Sequence, residues 1–349
     1  MPKELLAFGL EKLTWQEYAE PELSGDQVRI RSEFGAAKHG TELAFLKGYS
    51  GARGRYDNDY QLFIPEKPAG KPAKKPPART GSHVGNMTVG TVTEVGPEAK
   101  RLAVGDRVLL YGGFRQTHVA PEQRCWKLPA ELSWKSAVCL DPADFALGAV
   151  RDGNVRVGDA VAVFGMGAIG LMAVQIAKVS GAAPVIAVEP LPRRLALAKR
   201  VGADLVLNPT ACDAGLEIKK ATGGRGVDVA IDYSGARQAL QEALRGAAYG
   251  GTVVAGAFPP PYDAGLDFGA EAHLNVPNLI FSRSCSEPNR EYPRWNERRI
   301  FEVCLRLLID GRIRGEEVVT PVVKFEDAAT EYPKIATEPD TYVKIGVEY

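Results

Sequence analysis

Residues 161–170 read Val161-Ala162-Val163-Phe164-Gly165-Met166-Gly167-Ala168-Ile169-Gly170. Val161–Phe164 is a short apolar run with β-branched residues, the composition of a buried parallel strand. Gly165, Gly167 and Gly170 then fill the glycine positions of G-x-G-x-x-G, and Leu171–Lys178 continues as a helix. In such a unit the first glycine permits a tight turn and the second lets a pyrophosphate approach the backbone. The third lets helix and strand pack closely, with the phosphate on the helix N-terminus, here Gly167, Ala168 and Ile169, where free N–H groups point outward. Glu189 closes the next apolar strand, Val185–Val188, at the distance where a carboxylate takes the ribose hydroxyls. An incidental glycine-rich turn would not come with the strand, the helix and the acid together. A dinucleotide site is expected here.

The segment Ala160–Ala177 holds no charged residue and approaches the length of a minimal membrane span. Its three glycines, Gln175 and the flanking Asp159 and Lys178 argue for a strand, turn and helix instead. The N-terminus lacks a basic-then-apolar leader, so a cytoplasmic protein is expected. Lysine plus arginine and aspartate plus glutamate number 43 each, so no global field favours nucleic acid or a membrane surface. A chain of 349 residues exceeds one typical core and suggests two domains. The cysteines, Cys125, Cys139, Cys212, Cys285 and Cys304, are odd in number and scattered, which indicates neither a disulfide framework nor a zinc ribbon.

Outward from the glycine turn, the texture changes twice. Residues 1–35 and 84–127 show short strands between turn signals, as in Leu5–Phe8, Thr14–Tyr18, Gln27–Ser32 and Gly105-Asp106-Arg107-Val108, and predict a compact β-rich unit. From about Asp141 strands and helices alternate: Val185–Val188, Arg193–Val201, Leu205–Leu207, Val227–Ile231, Arg237–Gly246 and Thr252–Ala255. That is the βαβ signature of a doubly wound α/β sheet. Near Ser282 a polar loop interrupts, Arg298–Asp310 makes an amphipathic helix, and Tyr342–Val347 reads as a strand that rejoins the first domain. Pro65–Arg79, rich in proline and lysine, is expected to be a solvated loop.

The order and spacing of Val95-Gly96-Pro97, Gly105-Asp106-Arg107-Val108, the glycine turn, Gly226-Val227-Asp228…Ser234-Gly235 and Gly250-Gly251-Thr252…Gly256 resemble the medium-chain dehydrogenase/reductase superfamily over nearly the whole length. The resemblance implies a GroES-like catalytic domain over 1–140 and 284–349, a Rossmann domain over 141–283, an active site in the cleft between them, and a homodimer or homotetramer. It also implies cofactor contacts from Arg194 near the adenine, from Ser234, and from Gly256, Ala257 and Phe258 at strand ends near ribose and nicotinamide.

The departures bear on the chemistry. Zinc-bearing relatives carry Cys-Gly-Thr/Ser-Asp where this chain has His39-Gly40-Thr41-Glu42, and Gly-His-Glu where it has Gly85-Asn86-Met87. The third ligand position falls on Asp141, and the lobe of four cysteines is absent. An asparagine amide is a poor zinc ligand, which leaves two good donors where catalytic zinc wants three. No metal is expected. His39 then stands where the thiolate usually lies and can exchange a substrate proton near neutral pH. Thr41 matches the hydroxyl of the family's proton relay, Asp141 can orient His39, Lys38 is a second donor, and Asn86 fills the lost ligand's space or bonds a hydroxyl. A structural role for His39 in its loop is the competing reading.

Glu189 favours NAD over NADP, since a carboxylate bonds the 2′-hydroxyl and repels a 2′-phosphate; Arg193 and Arg194 are the residues that could receive that phosphate. Polar Thr41, Glu42, Asn86 and Asp141 suit a small hydroxylated substrate, and Trp295 among Arg283, Asn289, Arg290, Arg294 and Asn296 suits stacking on a sugar face or pairing with an anion. The expected activity is NAD-linked hydride transfer on a secondary alcohol or ketone of a polyol- or sugar-like metabolite. A quinone or enoyl reductase, or a dinucleotide-binding protein without turnover, are the alternatives.

Overall fold

The computed structural model describes residues 1–10, 12–47, 54–64, 81–283 and 286–349; Pro65–Arg79 and Cys285 lie outside them. The chain forms two compact units: 1–127 with 322–338 and 345–349, and 128–321 with 339–344. Where the sequence reading assigns 284–349 to the catalytic domain, contacts group 284–321 with the dinucleotide unit. The reason is packing: helix Glu297–Ile309 lies on helix Leu140–Asp152 through the buried face of Ile300, Phe301, Cys304, Leu307 and Leu308.

In the first unit the β-rich expectation takes the form of a seven-stranded sheet. Cys125–Lys127, Arg107–Tyr111, Met87–Val95, Gln27–Ala36, Gly346–Glu348 and Val322–Lys324 follow in that order, with Thr117–Pro121 also paired to Gln27–Ala36. Val28, Ile30, Val92, Val108 and Leu110 alternate inward and make its core. The C-terminal strand does rejoin this unit, antiparallel to Gln27–Ala36, but spans only Gly346–Glu348 rather than Tyr342–Val347. Residues 342–344 instead belong to the other unit, where Val343 and Lys344 donate to the Thr320 carbonyl.

The second unit is a six-stranded parallel sheet ordered Leu205–Leu207, Val185–Val188, Val161–Phe164, Val227–Asp232, Ala247–Ala255, Asn278–Phe281. Helices cover it, and the central strands are buried along their whole length, so they read as continuous apolar runs. Val161–Phe164 pairs with Val185–Val188 on one side and Val227–Asp232 on the other. The strand order therefore reverses at Phe164, and Gly165 leaves the sheet at its switch point, where ligands bind in this architecture. Among the described residues no helix is long and apolar enough to cross a membrane.

Candidate active site and dinucleotide site

The glycine turn is built for close approach. Gly165 has φ +86°, and a Cβ there would stand 2.7 Å from the Ser234 backbone. A Cβ on Gly170 would meet the Gly165 carbonyl at 1.9 Å, so strand and helix pack through that hydrogen. In front of Gly167 the space is open: the nearest atom to a Cβ there is Arg194 Nη1, at 3.9 Å. Gly167 is the N-cap of helix Ala168–Val179 and supplies no side-chain cap. Gly167, Ala168 and Ile169 are half-exposed while Gly170 is buried. An uncapped helix N-terminus under an open glycine, with an arginine over it, fits a pyrophosphate.

Arg194 donates from Nη2 to the Tyr342 carbonyl at 3.3 Å, and its buried Nε has no partner among the described residues. Burial pushes its pKa down, opposed by Glu189 and Asp340. Glu189 is 4 % exposed, and both carboxylate oxygens already accept backbone N–H groups, Met166 at 2.6 Å and Leu191 at 3.1 Å. It thus ties the glycine turn to the loop after its own strand, a structural duty that sequence reasoning did not assign. Each oxygen keeps a further lone pair for a ribose hydroxyl.

At the next strand ends, Asp232 Oδ1 accepts from the Ser234 N–H at 2.8 Å and hydroxyl at 2.6 Å, and Ser234 Oγ accepts from the Ala236 N–H. The Ser234 side chain therefore shapes its loop, and burial pushes the Asp232 carboxyl upward. Gly256 lies against the Tyr233 ring, where a Cβ would come within 2.6 Å, and Ala257 and exposed Phe258 follow it.

In the first unit, helix His39–Leu46 carries His39 and Thr41 in its first turn, with Lys38 as the N-cap residue. Its N-cap has no Ser, Thr or Asp; Glu42 does the work from within. Glu42 Oε1 accepts the Lys38 N–H, while Oε2 accepts the Gly85 N–H at 3.0 Å and the Tyr332 hydroxyl at 2.5 Å. Tyr332 is fully buried, and that burial, with Glu42 beside it, pushes its phenol far above the usual range. One carboxylate thus fixes the turn before His39 and the turn before Asn86. The Asn86 backbone is held by Ala36 and Gly112, but its buried Nδ2 has no partner among the described residues.

His39 Nε2 accepts the Ile345 N–H at 2.9 Å. That bond fixes the neutral ring in the Nδ1–H form, so Nδ1 donates and the ring's one basic lone pair is the one facing Ile345, which replaces the proton-taking role expected of His39 with a hydrogen-bond-donating one. Thr41 is exposed. Asp141 is 3 % exposed in the first turn of helix Leu140–Asp152 in the second unit, a favourable place for a carboxylate against the helix dipole. Among the described residues no three His, Cys, Asp or Glu side chains gather as a metal would need. Trp295 does not offer a face to a sugar: Arg151 stacks on it at 3.4 Å and Arg299 at 4.2 Å.

The family profile described as zinc-binding dehydrogenase matches residues 168–286. That range contains none of positions 39, 86 and 141. D-guloside 3-dehydrogenase of Escherichia coli is 42 % identical over 352 residues, covering 99 % of this chain and 100 % of that one. (R,R)-butanediol dehydrogenase of Bacillus subtilis is 30 % identical over 276 residues, 71 % of this chain and 75 % of that one. A crystal structure of 2R,3R-butanediol dehydrogenase from Bacillus subtilis superposes with TM-score 0.78 at 23 % identity, covering both chains fully. The chain is an oxidoreductase acting on CH–OH groups and belongs to the medium-chain dehydrogenase/reductase family.

Proposed function

We propose that this enzyme is a zinc-independent, NAD-linked dehydrogenase that oxidises a secondary hydroxyl of a sugar-like substrate, with a glycoside ring hydroxyl as the first candidate. The full-length likeness to an enzyme named for a D-guloside supports the substrate class. The observation that carries the polar site is the Glu42 arrangement: it anchors the His39 helix and the Gly85–Asn86 turn together, beside the buried Asn86 amide, a donor without an acceptor among the described residues. A substrate hydroxyl oxygen answers that donor; a hydrocarbon enone does not.

NAD, held by its pyrophosphate at the glycine turn, would supply the hydride acceptor. This chain's own residues do the rest. Thr41 bonds the reacting hydroxyl, His39 as its Nδ1–H form donates to and polarises the reacting oxygen because Nε2 is held by Ile345, and Lys38 or a water takes the proton. Zinc independence is supported by two features: Asn86 is a poor ligand, and the His39 Nε2 lone pair is committed to a backbone N–H. Glu189 supports NAD because a carboxylate bonds a 2′-hydroxyl and repels a 2′-phosphate. We also infer a cytoplasmic homodimer or homotetramer acting on small molecules, without nucleic acid or membrane as a partner. The cysteines suit a reducing compartment: Cys139 is fully buried and its thiol is pushed up to about 12, chiefly by burial.

The test is a screen of D-gulosides, other glycosides, polyols and quinones with NAD and NADP, read as formation or loss of the reduced-nicotinamide absorbance. Turnover on a glycoside or polyol hydroxyl is expected. Turnover on quinones alone would replace this reading with a double-bond reductase.

A further inference from the structure

The second unit holds a cavity of about 210 Å³ at the carboxyl end of the edge strand Asn278–Phe281. Its lining includes Asp152, Phe281, Arg283, Asn289, Arg290 and Glu291. The Ser282 N–H donates to the Ala255 carbonyl at 3.0 Å, so the cavity begins one strand over from Gly256–Phe258, the segment expected against the nicotinamide. Parallel sheets of this kind present ligands at these strand ends.

The walls combine what a sugar needs. Phe281 is 70 % exposed, an aromatic face at the cavity wall. Asp152 and Glu291 are acceptors; Asn289 both donates and accepts; Arg283 and Arg290 donate in planar forks. Arg290 Nε stands 3.8 Å from Asp152 Oδ1, and its Nη2 donates to the Phe281 carbonyl at 3.2 Å. Arg151 is held by both oxygens of Glu291, at 2.5 and 2.7 Å, and is stacked on Trp295, so this wall is rigid before any ligand arrives. Each acid of the lining stands beside an arginine, Glu291 by Arg151 and Asp152 by Arg290, so the wall has no unbalanced charge, which suits neutral vicinal hydroxyls better than a lone anion. An aromatic platform beside fixed donors and acceptors takes the apolar face and the rim hydroxyls of one saccharide ring.

We propose that this cavity is a second carbohydrate subsite, which holds the ring attached to the sugar being oxidised. The proposal rests on the glycoside reading above. It places Phe281 and Asn289 as residues that select glycosides of sugars over simple alkyl glycosides.

Two measurements separate the subsite from that reading. The first is kcat/KM for methyl D-guloside and for a D-guloside of glucose, in the native enzyme and in Phe281→Ala and Asn289→Ala. The native enzyme should favour the glucose-bearing substrate by about tenfold, equivalent to about 1.4 kcal/mol, and each substitution should erase most of that ratio while leaving methyl guloside kinetics within about twofold. Equal kcat/KM values in the native enzyme, or a ratio that survives both substitutions, would overturn the subsite and leave the glycoside reading standing. The second is saturation-transfer NMR of methyl glucopyranoside with the NADH-bound protein, which does not depend on turnover. Transfer that disappears in Phe281→Ala supports the subsite even if no guloside is oxidised. No transfer in the native protein, or transfer unchanged in Phe281→Ala, counts against it.

Discussion

The Tyr332 hydroxyl donates to Glu42 Oε2 at 2.5 Å, joining residues 290 apart in sequence. Through that bond the helix that carries His39 and Thr41, the turn that carries Asn86 and the buried ring of Tyr332 share one carboxylate. Glu42→Ala leaves a buried phenol and the Gly85 N–H without their acceptor, at a cost of about 2–4 kcal/mol. Glu42→Gln keeps an acceptor and should lose about half as much. Urea denaturation of the two variants checks the order, and turnover should fall with stability because His39 and Asn86 lose their common support. Equal, negligible losses in both would show that the Glu42 arrangement does not hold the site.

Residues near one another in sequence made much of this legible. The glycine turn, its strand and Glu189 lie within thirty residues, each with a local backbone demand, and the buried strands Val161–Phe164 and Val185–Val188 keep their apolar runs, whereas the half-exposed edge strand Asn278–Phe281 shows no such signal. The Glu42 role had a partial signal, a carboxylate four residues after the helix cap, yet its other partners, Gly85 and Tyr332, come from distant segments that no local pattern links. The Ile345 N–H on His39 is likewise invisible, since any residue but proline offers the same donor. The stacking of Arg151 and Arg299 on Trp295 has no local signal either, since Arg151 comes from a helix far away in sequence.

The cofactor prediction follows from the double duty of Glu189. NAD should bind more tightly than NADP. Glu189→Ala should narrow that gap while also weakening NAD itself by about tenfold, because the buried Met166 and Leu191 N–H groups lose their acceptor. Titration of both cofactors into both proteins measures this. A native preference for NADP would reverse the assignment.

His39→Ala and Thr41→Ala should each lower kcat by about a hundredfold, the order usual for removing one hydrogen-bonding group from the reacting oxygen, with NAD binding nearly intact. Asp141→Asn should cost less than either. Retention of more than about a third of kcat in His39→Ala would make His39 structural.

His118 gives a stability prediction. It is buried, and burial together with the nearby Arg115 and His83 lowers its pKa from 6.5 to about 3. Between those values the folded protein keeps His118 neutral while the unfolded chain takes up a proton, so stability falls as pH drops through this window. The slope from this group approaches about 1.4 kcal/mol per pH unit. Urea denaturation from pH 7 to pH 5 should show a shallower loss in His118→Gln than in the native protein; identical slopes would exclude His118 as the source.

The most direct test of the central claim is the rate at which protein dialysed against chelator, with its zinc content measured on the same sample, reduces NAD in the presence of a D-guloside. The account predicts far less than one zinc per chain, an undiminished rate, and a ketone at the oxidised ring carbon. Stoichiometric zinc, or a rate that disappears on dialysis and returns only with added zinc, would contradict it.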